Sequence, residues 1–217
     1  MANIPLYHGT DARILAMSDG ERKKFKELCA LSIEYLWKLF DSYVDRRLEE
    51  LKSILTNGQD ESKFYDLYYT LICVDAYRNG RADYQYEHIY LTNMISRAID
   101  YANRSFAFGE FGFHAYNMLD AAHIIKFTDW NPSPKEEEAL STLQIFAESK
   151  AEPIVLEMDD YDINNLRTED GGPLPPGLLS EYCGMSLRYI GELPLRNLKR
   201  MTAKEAFDKW KESGRPF

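Results

Sequence analysis

Apolar side chains recur at steps of three and four residues between positions 25 and 55, the spacing that places them on one face of an α-helix. Before this run, Ser18 is followed three residues later by Glu21, a pattern typical of a helix start. Asn57-Gly58 ends the run. The pattern predicts one long amphipathic helix or two in series, and it limits any sheet to the parts of the chain outside this stretch.

Strand-like segments lie on both sides of the predicted helices. Leu6-Tyr7 is apolar and runs directly into His8-Gly9-Thr10, which we interpret as a corner at the end of a short strand. Residues 84–92 are rich in aromatic and branched side chains and end at a possible helix cap, Thr92 or Asn93. The other predicted elements are helices at 64–77, 95–102, 116–125, 135–149 and 203–212, strands at 153–158 and 187–193, a connector at 106–113 and a loop at 164–177.

The composition is that of a globular protein and not of a disordered one, with 45% apolar and 28% charged residues in 217 positions. The net charge of -9 argues against a sequence-independent nucleic-acid binder, which needs a basic face. No stretch approaches eighteen apolar residues and no leader pattern is visible, so we expect no membrane span and a cytoplasmic location. Three widely spaced cysteines argue against a disulfide framework.

Two segments together carry a family resemblance. His8-Gly9-Thr10 is followed about eighty residues later by Tyr90 and Tyr101, which have ten residues between them. This pair resembles two of the three motifs of the ADP-ribosyltransferase fold, in the His-Tyr-Glu branch of diphtheria toxin and the poly(ADP-ribose) polymerases. The resemblance implies a single α+β domain over residues 1–217, with a split, mostly antiparallel β core and a helical insertion at about 19–79. It also implies NAD as co-substrate and no metal.

The resemblance assigns a role to each matched residue. His8 would hydrogen-bond a ribose hydroxyl in the adenosine half of NAD, and the backbone of Gly9 would pair with the carboxamide, with Thr10 beside them. A glycine suits that position because a ligand can approach its backbone closely. Tyr90 and Tyr101 would lie on either side of the nicotinamide ring. Ala98 replaces a serine that often contacts the carboxamide in the polymerases.

The third motif supplies a glutamate near a strand start, which steadies the positive charge that develops on the ribose. Glu181 is our preferred candidate, and Glu192 is its rival. A third register places Ser186 in this position, in which case the glutamate of the motif is absent. The loop at 164–177 precedes the candidate, where the family places its target-recognition loop.

The expected function is transfer of one ADP-ribose from NAD to a macromolecule, with release of nicotinamide. The acidic composition favours a protein acceptor over nucleic acid. An NAD glycohydrolase, with water as acceptor, would use the same residues. A non-catalytic partner-binding module is the alternative outside enzyme classes, and an exposed apolar face along residues 25–55 would support it. His114 and His123 are interpreted as structural, since no third metal ligand accompanies them.

Overall fold

The computed structural model describes residues 4–46, 48–56, 61–80, 89–103, 109–169, 171–180, 186–190 and 198–214. Within them the chain forms two compact units, which we call the strand unit and the helical unit. The strand unit draws on Met1–Met17, Gln85–Gly109 and Ala151–Phe217, and the helical unit on Ser18–Tyr84 and Glu110–Lys150. The predicted insertion at 19–79 therefore falls inside a helical unit that also takes in a second segment of the chain.

The elements follow in chain order. They are β1 (Leu6–Asp11), α1 (Ala12–Ala16), α2 (Asp19–Arg46), α3 (Leu48–Thr56), α4 (Ser62–Arg78), β2 (Ile89–Leu91), α5 (Ile95–Asn103), α6 (Gly109–Ile125), α7 (Pro134–Glu148), β3 (Pro153–Met158), β4 (Leu166–Thr168), β5 (Leu187–Tyr189), β6 (Lys199–Thr202) and α8 (Ala203–Glu212). The predicted α+β class is confirmed.

The helical unit has a core because the apolar faces of its helices pack against one another. The rings of Phe25 on α2 and Phe146 on α7 lie 4.9 Å apart between centroids. At the surface of the same pair of helices, Lys38 forms an ion pair with Glu136. The buried apolar residues of α2 include Phe25, Cys29, Ile33, Leu36, Trp37 and Phe40. The apolar face along 25–55 is thus largely used inside the unit, as expected for an amphipathic helix.

His114 belongs to a buried polar group in this unit. Its Nδ1 lies 3.1 Å from Oγ1 of Thr70, and Asn117 donates to the same hydroxyl oxygen at 3.1 Å. Burial lowers the pKa of His114 to about 4, so the ring is neutral near pH 7. The residue links α4 to α6, which fits the structural role that the sequence indicated.

Among the described residues, the strand unit contains two three-stranded antiparallel sheets. In sheet A the order is β1-β3-β6, and in sheet B it is β2-β5-β4. Helices α5 and α8 cover one face of sheet A, where a core forms from Tyr7, Ile95, Ala98, Ile99, Ala102, Val155, Met201 and Ala206. A second core forms where one face of sheet B packs against sheet A. Its buried residues are Leu91, Leu166 and Leu187 from sheet B, and Leu6 and Met158 from sheet A. Alternate residues of sheet B consequently point to the opposite face.

The structure corrects several sequence-based expectations. His8, Gly9 and Thr10 do not form a corner, because β1 continues through them and pairs with β3 along its whole length. Of the connector predicted at 106–113, residues 106–108 lie outside the described residues and 109–113 belong to α6, which begins at Gly109 and buries Ala115, Met118, Leu119 and Ala122. Strands β4 and β6 were not predicted; their sequences, Leu-Arg-Thr and Lys-Arg-Met-Thr, carry little apolar pattern. The strand predicted at 84–92 is confirmed for Ile89–Leu91, while 84–88 lies outside the described residues.

Glu157 gives the strand unit a dependence on pH. Its carboxylate is 8% exposed on β3 and forms ion pairs with Lys199 and Lys209. Burial alone would raise the pKa of Glu157, but hydrogen bonds and charge from Lys209 and Lys199 outweigh burial and lower it. A lowered pKa in the folded state stabilises the protein above about pH 4.3, the usual value for Glu, and this stability is lost as the pH falls through the folded-state pKa.

We therefore expect the free energy of unfolding to fall as the medium is acidified below about pH 4.3, with Glu157 contributing to the decline. Urea titrations at a series of pH values would measure it. The variant Glu157→Gln should be less stable than wild type at pH 7, and its stability should change less on acidification. If the free energy of unfolding falls equally steeply with decreasing pH in both proteins, this assignment is wrong.

Candidate functional site

The two sheets of the strand unit meet at one backbone bridge and then separate. The Tyr7 N–H donates to the Thr92 carbonyl at 2.7 Å, and the Thr92 N–H donates to the Tyr7 carbonyl at 2.9 Å. On either side of this bridge β1 pairs with β3, whereas β2 pairs with β5. Among the described residues, no second backbone pair joins β1 to β2.

The ring of His8 makes a second link between β1 and β2. Its Nδ1–H donates to the backbone carbonyl of Tyr90 at 2.8 Å, which joins β1 to β2 beyond the bridge. Because a carbonyl only accepts, Nδ1 carries the proton, and Nε2 of a neutral ring is an acceptor. Burial lowers the pKa of His8 despite the opposing effect of the bond to Tyr90, so the ring is neutral near pH 7. Nε2 is therefore suited to a ligand group that donates, such as a hydroxyl.

Gly9 presents its peptide groups at the edge of β1. Tyr7 directs both its N–H and its C=O toward Thr92 and away from β3. Backbone groups alternate in direction along a strand, so those of Gly9 point to the same side as those of Tyr7. Within the described ranges, no group hydrogen-bonds the backbone of Gly9 on that side. The strand edge thus offers one donor and one acceptor side by side.

Gly9 also lets α5 lie directly on β1. A Cβ built at Gly9 would meet the carbonyl oxygen of Ala98 at 2.0 Å and the backbone nitrogen of Ala102 at 2.6 Å. Tyr101 immediately precedes Ala102, so its side chain leaves the helix on the flank of this contact. Through this contact α5, the helix that carries Tyr101, lies directly against β1.

Tyr101 is surrounded by polar groups. Its side chain is 46% exposed, and its hydroxyl lies 3.4 Å from Oγ of Ser186. Arg97, one helical turn earlier on α5, donates to the same hydroxyl at 3.3 Å, and its guanidinium lies 5.6 Å from the centre of the Tyr101 ring. Arg97 was not among the site residues predicted from the sequence, although its position four residues before Tyr101 predicts that the two side chains are in contact on a helix.

Of the remaining predicted site residues, the structure describes Tyr90 and Thr10. Tyr90 lies on β2, directly opposite Arg188 of β5, and Thr10 is buried on the same face of β1 as His8. Glu181 and Glu192 lie outside the described residues. The structure therefore brings together His8 with Tyr90, Gly9 with α5, and Tyr101 with Ser186.

Comparisons with known proteins find no match to this chain among protein-family models, curated proteins or solved structures. None of the described helices combines the length and hydropathy needed to cross a membrane. Within the same ranges, no group of three His, Cys, Asp or Glu side chains could hold a metal ion.

Proposed function

We propose that the chain is a mono-ADP-ribosyltransferase that binds NAD at the edge of β1 next to β2 and transfers ADP-ribose to a macromolecule. The observation that carries the proposal is the edge of β1, where no group of the described residues hydrogen-bonds the outward N–H and C=O of Gly9, the residue next to His8 with its acceptor nitrogen. Both features come from residues on which the resemblance to the ADP-ribosyltransferases rests.

The edge of Gly9 complements a primary carboxamide. Such a group has a C=O and two N–H bonds in one plane, and a strand edge offers an acceptor for one N–H beside a donor for the C=O. Two hydrogen bonds of the kind that join antiparallel strands would fix the nicotinamide ring in one orientation. Because Gly9 is backbone in a packed sheet, the donor and the acceptor are already in place before the ligand binds, which lowers the entropic cost of binding.

The flanking side chains suit the rest of NAD. Nε2 of His8 can accept a hydrogen bond from a ribose hydroxyl. Tyr101 is partly exposed on α5, and Tyr90 lies on β2 opposite Arg188, so these two rings are our candidates to stack on nicotinamide. Stacking excludes water from the bond that breaks.

In the proposed reaction the bond between the ribose C1′ and the nicotinamide nitrogen breaks, and its electron pair leaves with neutral nicotinamide. A nucleophile of the acceptor forms a new bond to C1′ and loses its proton to the medium. The ribose carries positive charge as the old bond lengthens, so a carboxylate nearby lowers the barrier. We propose Glu181 for this role, with Glu192 as the rival, and a protein as the acceptor.

Nicotinamide release from NAD, followed by chromatography with and without a cell lysate, tests the function. Release that grows with lysate is expected from a transferase, and lysate-independent release would indicate a glycohydrolase. His8→Ala should weaken NAD binding about tenfold or more, because it removes a hydrogen-bond acceptor of the site. Glu181→Gln should reduce release by about 10²–10³-fold with little change in binding.

The matched control is His123→Ala, which removes an exposed histidine from the helical unit and should leave NAD binding unchanged. Each variant needs a melting curve, since His8 also bonds to β2. If wild-type protein shows neither nicotinamide release nor a rise in melting temperature with NAD, the proposed function is wrong. Loss of release in Glu192→Gln, but not in Glu181→Gln, would transfer the catalytic role to Glu192.

A further inference from the structure

Helix α4 carries apolar side chains on two sides. The buried apolar residues of this helix are Phe64, Leu67, Leu71, Cys73 and Val74. A second set is spaced i, i+3, i+4 and i+7 along the same helix and is between 37% and 54% exposed: Tyr65, Tyr68, Tyr69 and Ile72. This spacing places the four side chains in one row about two turns long, which we call the tyrosine stripe.

The tyrosine stripe differs from the single apolar residues that most protein surfaces expose. A helix that is apolar all round is normally buried on every side, and contiguous exposed apolar side chains mark interaction sites. Tyrosine is enriched at such sites, because its ring is apolar while its hydroxyl remains compatible with water. By contrast, Ile145 on α7 is 69% exposed, and single exposed residues of this kind are ordinary. The stripe therefore has the spacing and composition of a surface that binds a helix.

Acidic side chains surround the tyrosine stripe. Glu61 lies one turn before the stripe, Asp75 lies one turn after it, and Asp66 lies on its flank. The cations of α4 itself, Lys63 and Arg78, form ion pairs with acidic residues of neighbouring helices. A partner that binds this surface therefore gains from positive charge at the edges of its apolar face.

Lys52 of α3 shows how a cation is held at this surface. Its Nζ lies 5.9 Å from the centre of the Tyr65 ring and forms an ion pair with Glu61 at 2.9 Å. A ring face and a carboxylate thus hold one ammonium group together. Asp66 and Tyr69 repeat this combination of residue types one turn further along α4. A lysine or arginine of a partner helix fits there in the same way.

We propose that the tyrosine stripe binds an amphipathic helix of another protein, one whose apolar face is flanked by lysine or arginine residues. A second copy of this chain is a poorer fit, because a two-fold contact centred on the stripe brings Glu61 next to the Asp75 of the copy. Nucleic acids and anionic membranes are disfavoured because they carry the same sign of charge as the residues around the stripe. All four residues of the stripe belong to the helical unit, so this inference is separate from the proposed NAD site.

The probe is a synthetic basic peptide of about four helical turns, with leucines spaced i, i+3, i+4 and i+7 and lysines at the flanking positions. A second peptide has glutamate in place of every lysine and is otherwise the same. Each peptide is labelled with fluorescein and titrated with the full chain, and binding is followed by fluorescence anisotropy. Because the stripe is short, we expect a dissociation constant of about 10–100 μM for the basic peptide and at least about tenfold weaker binding of the acidic one.

Two variants test the stripe and the charges around it separately. Tyr65→Ala/Ile72→Ala removes two exposed side chains and should weaken binding of the basic peptide about tenfold or more. Asp66→Lys keeps the stripe, reverses one flanking charge, and should weaken the same binding about tenfold. The matched controls are Ile145→Ala on α7 and Glu27→Lys on α2, which make the same kinds of change at exposed positions elsewhere in the helical unit. Both controls should bind the basic peptide within about twofold of wild type.

Equal affinity of the basic peptide for wild type and Tyr65→Ala/Ile72→Ala would overturn the inference, and so would a failure of wild type to bind this peptide. Equal binding of the two peptides would also overturn it, because charge would then play no part. A dimer of the chain alone, seen by sedimentation and lost in Tyr65→Ala/Ile72→Ala, would assign the stripe to a second copy instead. All of the substituted residues are exposed, so melting temperatures should stay close to that of wild type, and Asp66→Lys decides the question if the double variant does not fold.

Discussion

Gly9→Ala is expected to destabilise the strand unit by about 3 kcal/mol, at the upper end of the range for overpacking. The added methyl would lie 2.0 Å from the carbonyl oxygen of Ala98 and 2.6 Å from the nitrogen of Ala102. Both are backbone atoms of α5, so no side chain can rotate out of the way. Relief requires the helix to move off β1, which breaks the packing of Tyr7 and Val155 beneath it.

The control for this substitution is Gly20→Ala in α2. A Cβ at Gly20 meets no atom within 4 Å, and alanine favours helix over glycine by up to about 1 kcal/mol. The second variant should therefore be as stable as wild type or more stable. Urea unfolding monitored by circular dichroism would measure both. Equal stability of Gly9→Ala and wild type would show that α5 does not lie this close to β1.

Asp11→Ala should produce the second large effect, a loss of about 2–4 kcal/mol. The Asp11 side chain is fully buried and accepts from the backbone N–H of Arg13 at 2.8 Å, capping α1. It also forms an ion pair with the Arg13 guanidinium at 2.7 Å and accepts from the N–H of Glu152 at 3.2 Å. Alanine removes every one of these bonds and leaves the arginine, which is only 18% exposed, without its counter-ion.

The acidic partner of an exposed pair provides the comparison. Asp19 stands at the first turn of α2 and pairs with Arg22, but its side chain is 92% exposed. Because water screens such pairs, the free energy of unfolding of Asp19→Ala should be indistinguishable from that of wild type. Urea unfolding of both aspartate variants, monitored by circular dichroism, would measure this. A similar loss in both variants would mean that local helix capping, and not burial of the carboxylate, governs the effect at Asp11.

The helices could be predicted because their signals are local. Steps of three and four residues identify the buried faces, and Ser133 and Thr202 each form the capping box that their sequences indicate. Strand pairing is different, since β1 pairs with β3 across most of the chain. Nothing local in Lys199–Thr202 predicts a strand, because its pairing with β3 and the burial of Met201 stabilise it.

In the candidate site, too, local features could be predicted from the sequence, whereas contacts between distant segments could not. The resemblance placed His8 and Tyr90 in one site, and the structure brings them within a hydrogen bond of each other. For Gly9 the resemblance predicted a close approach of a ligand to its backbone, and the structure shows that the close approach of α5 also requires the absence of a Cβ. The contact of Tyr101 with Ser186 depends on two elements that are distant in sequence, so spacing alone could not establish it.

The pairing of β1 also bears on how the protein is made. β1 leaves the ribosome long before β3, the strand with which it pairs. β3 in turn leaves before its other partner, β6 (Lys199–Thr202). The described helices α2, α3, α4, α6 and α7 are all synthesised between β1 and β3. A nascent chain that stops after α7 would carry Leu6–Asp11 without β3, which leaves that edge of the strand open to association with other chains. The proposed NAD site is therefore among the last parts of the molecule to assemble.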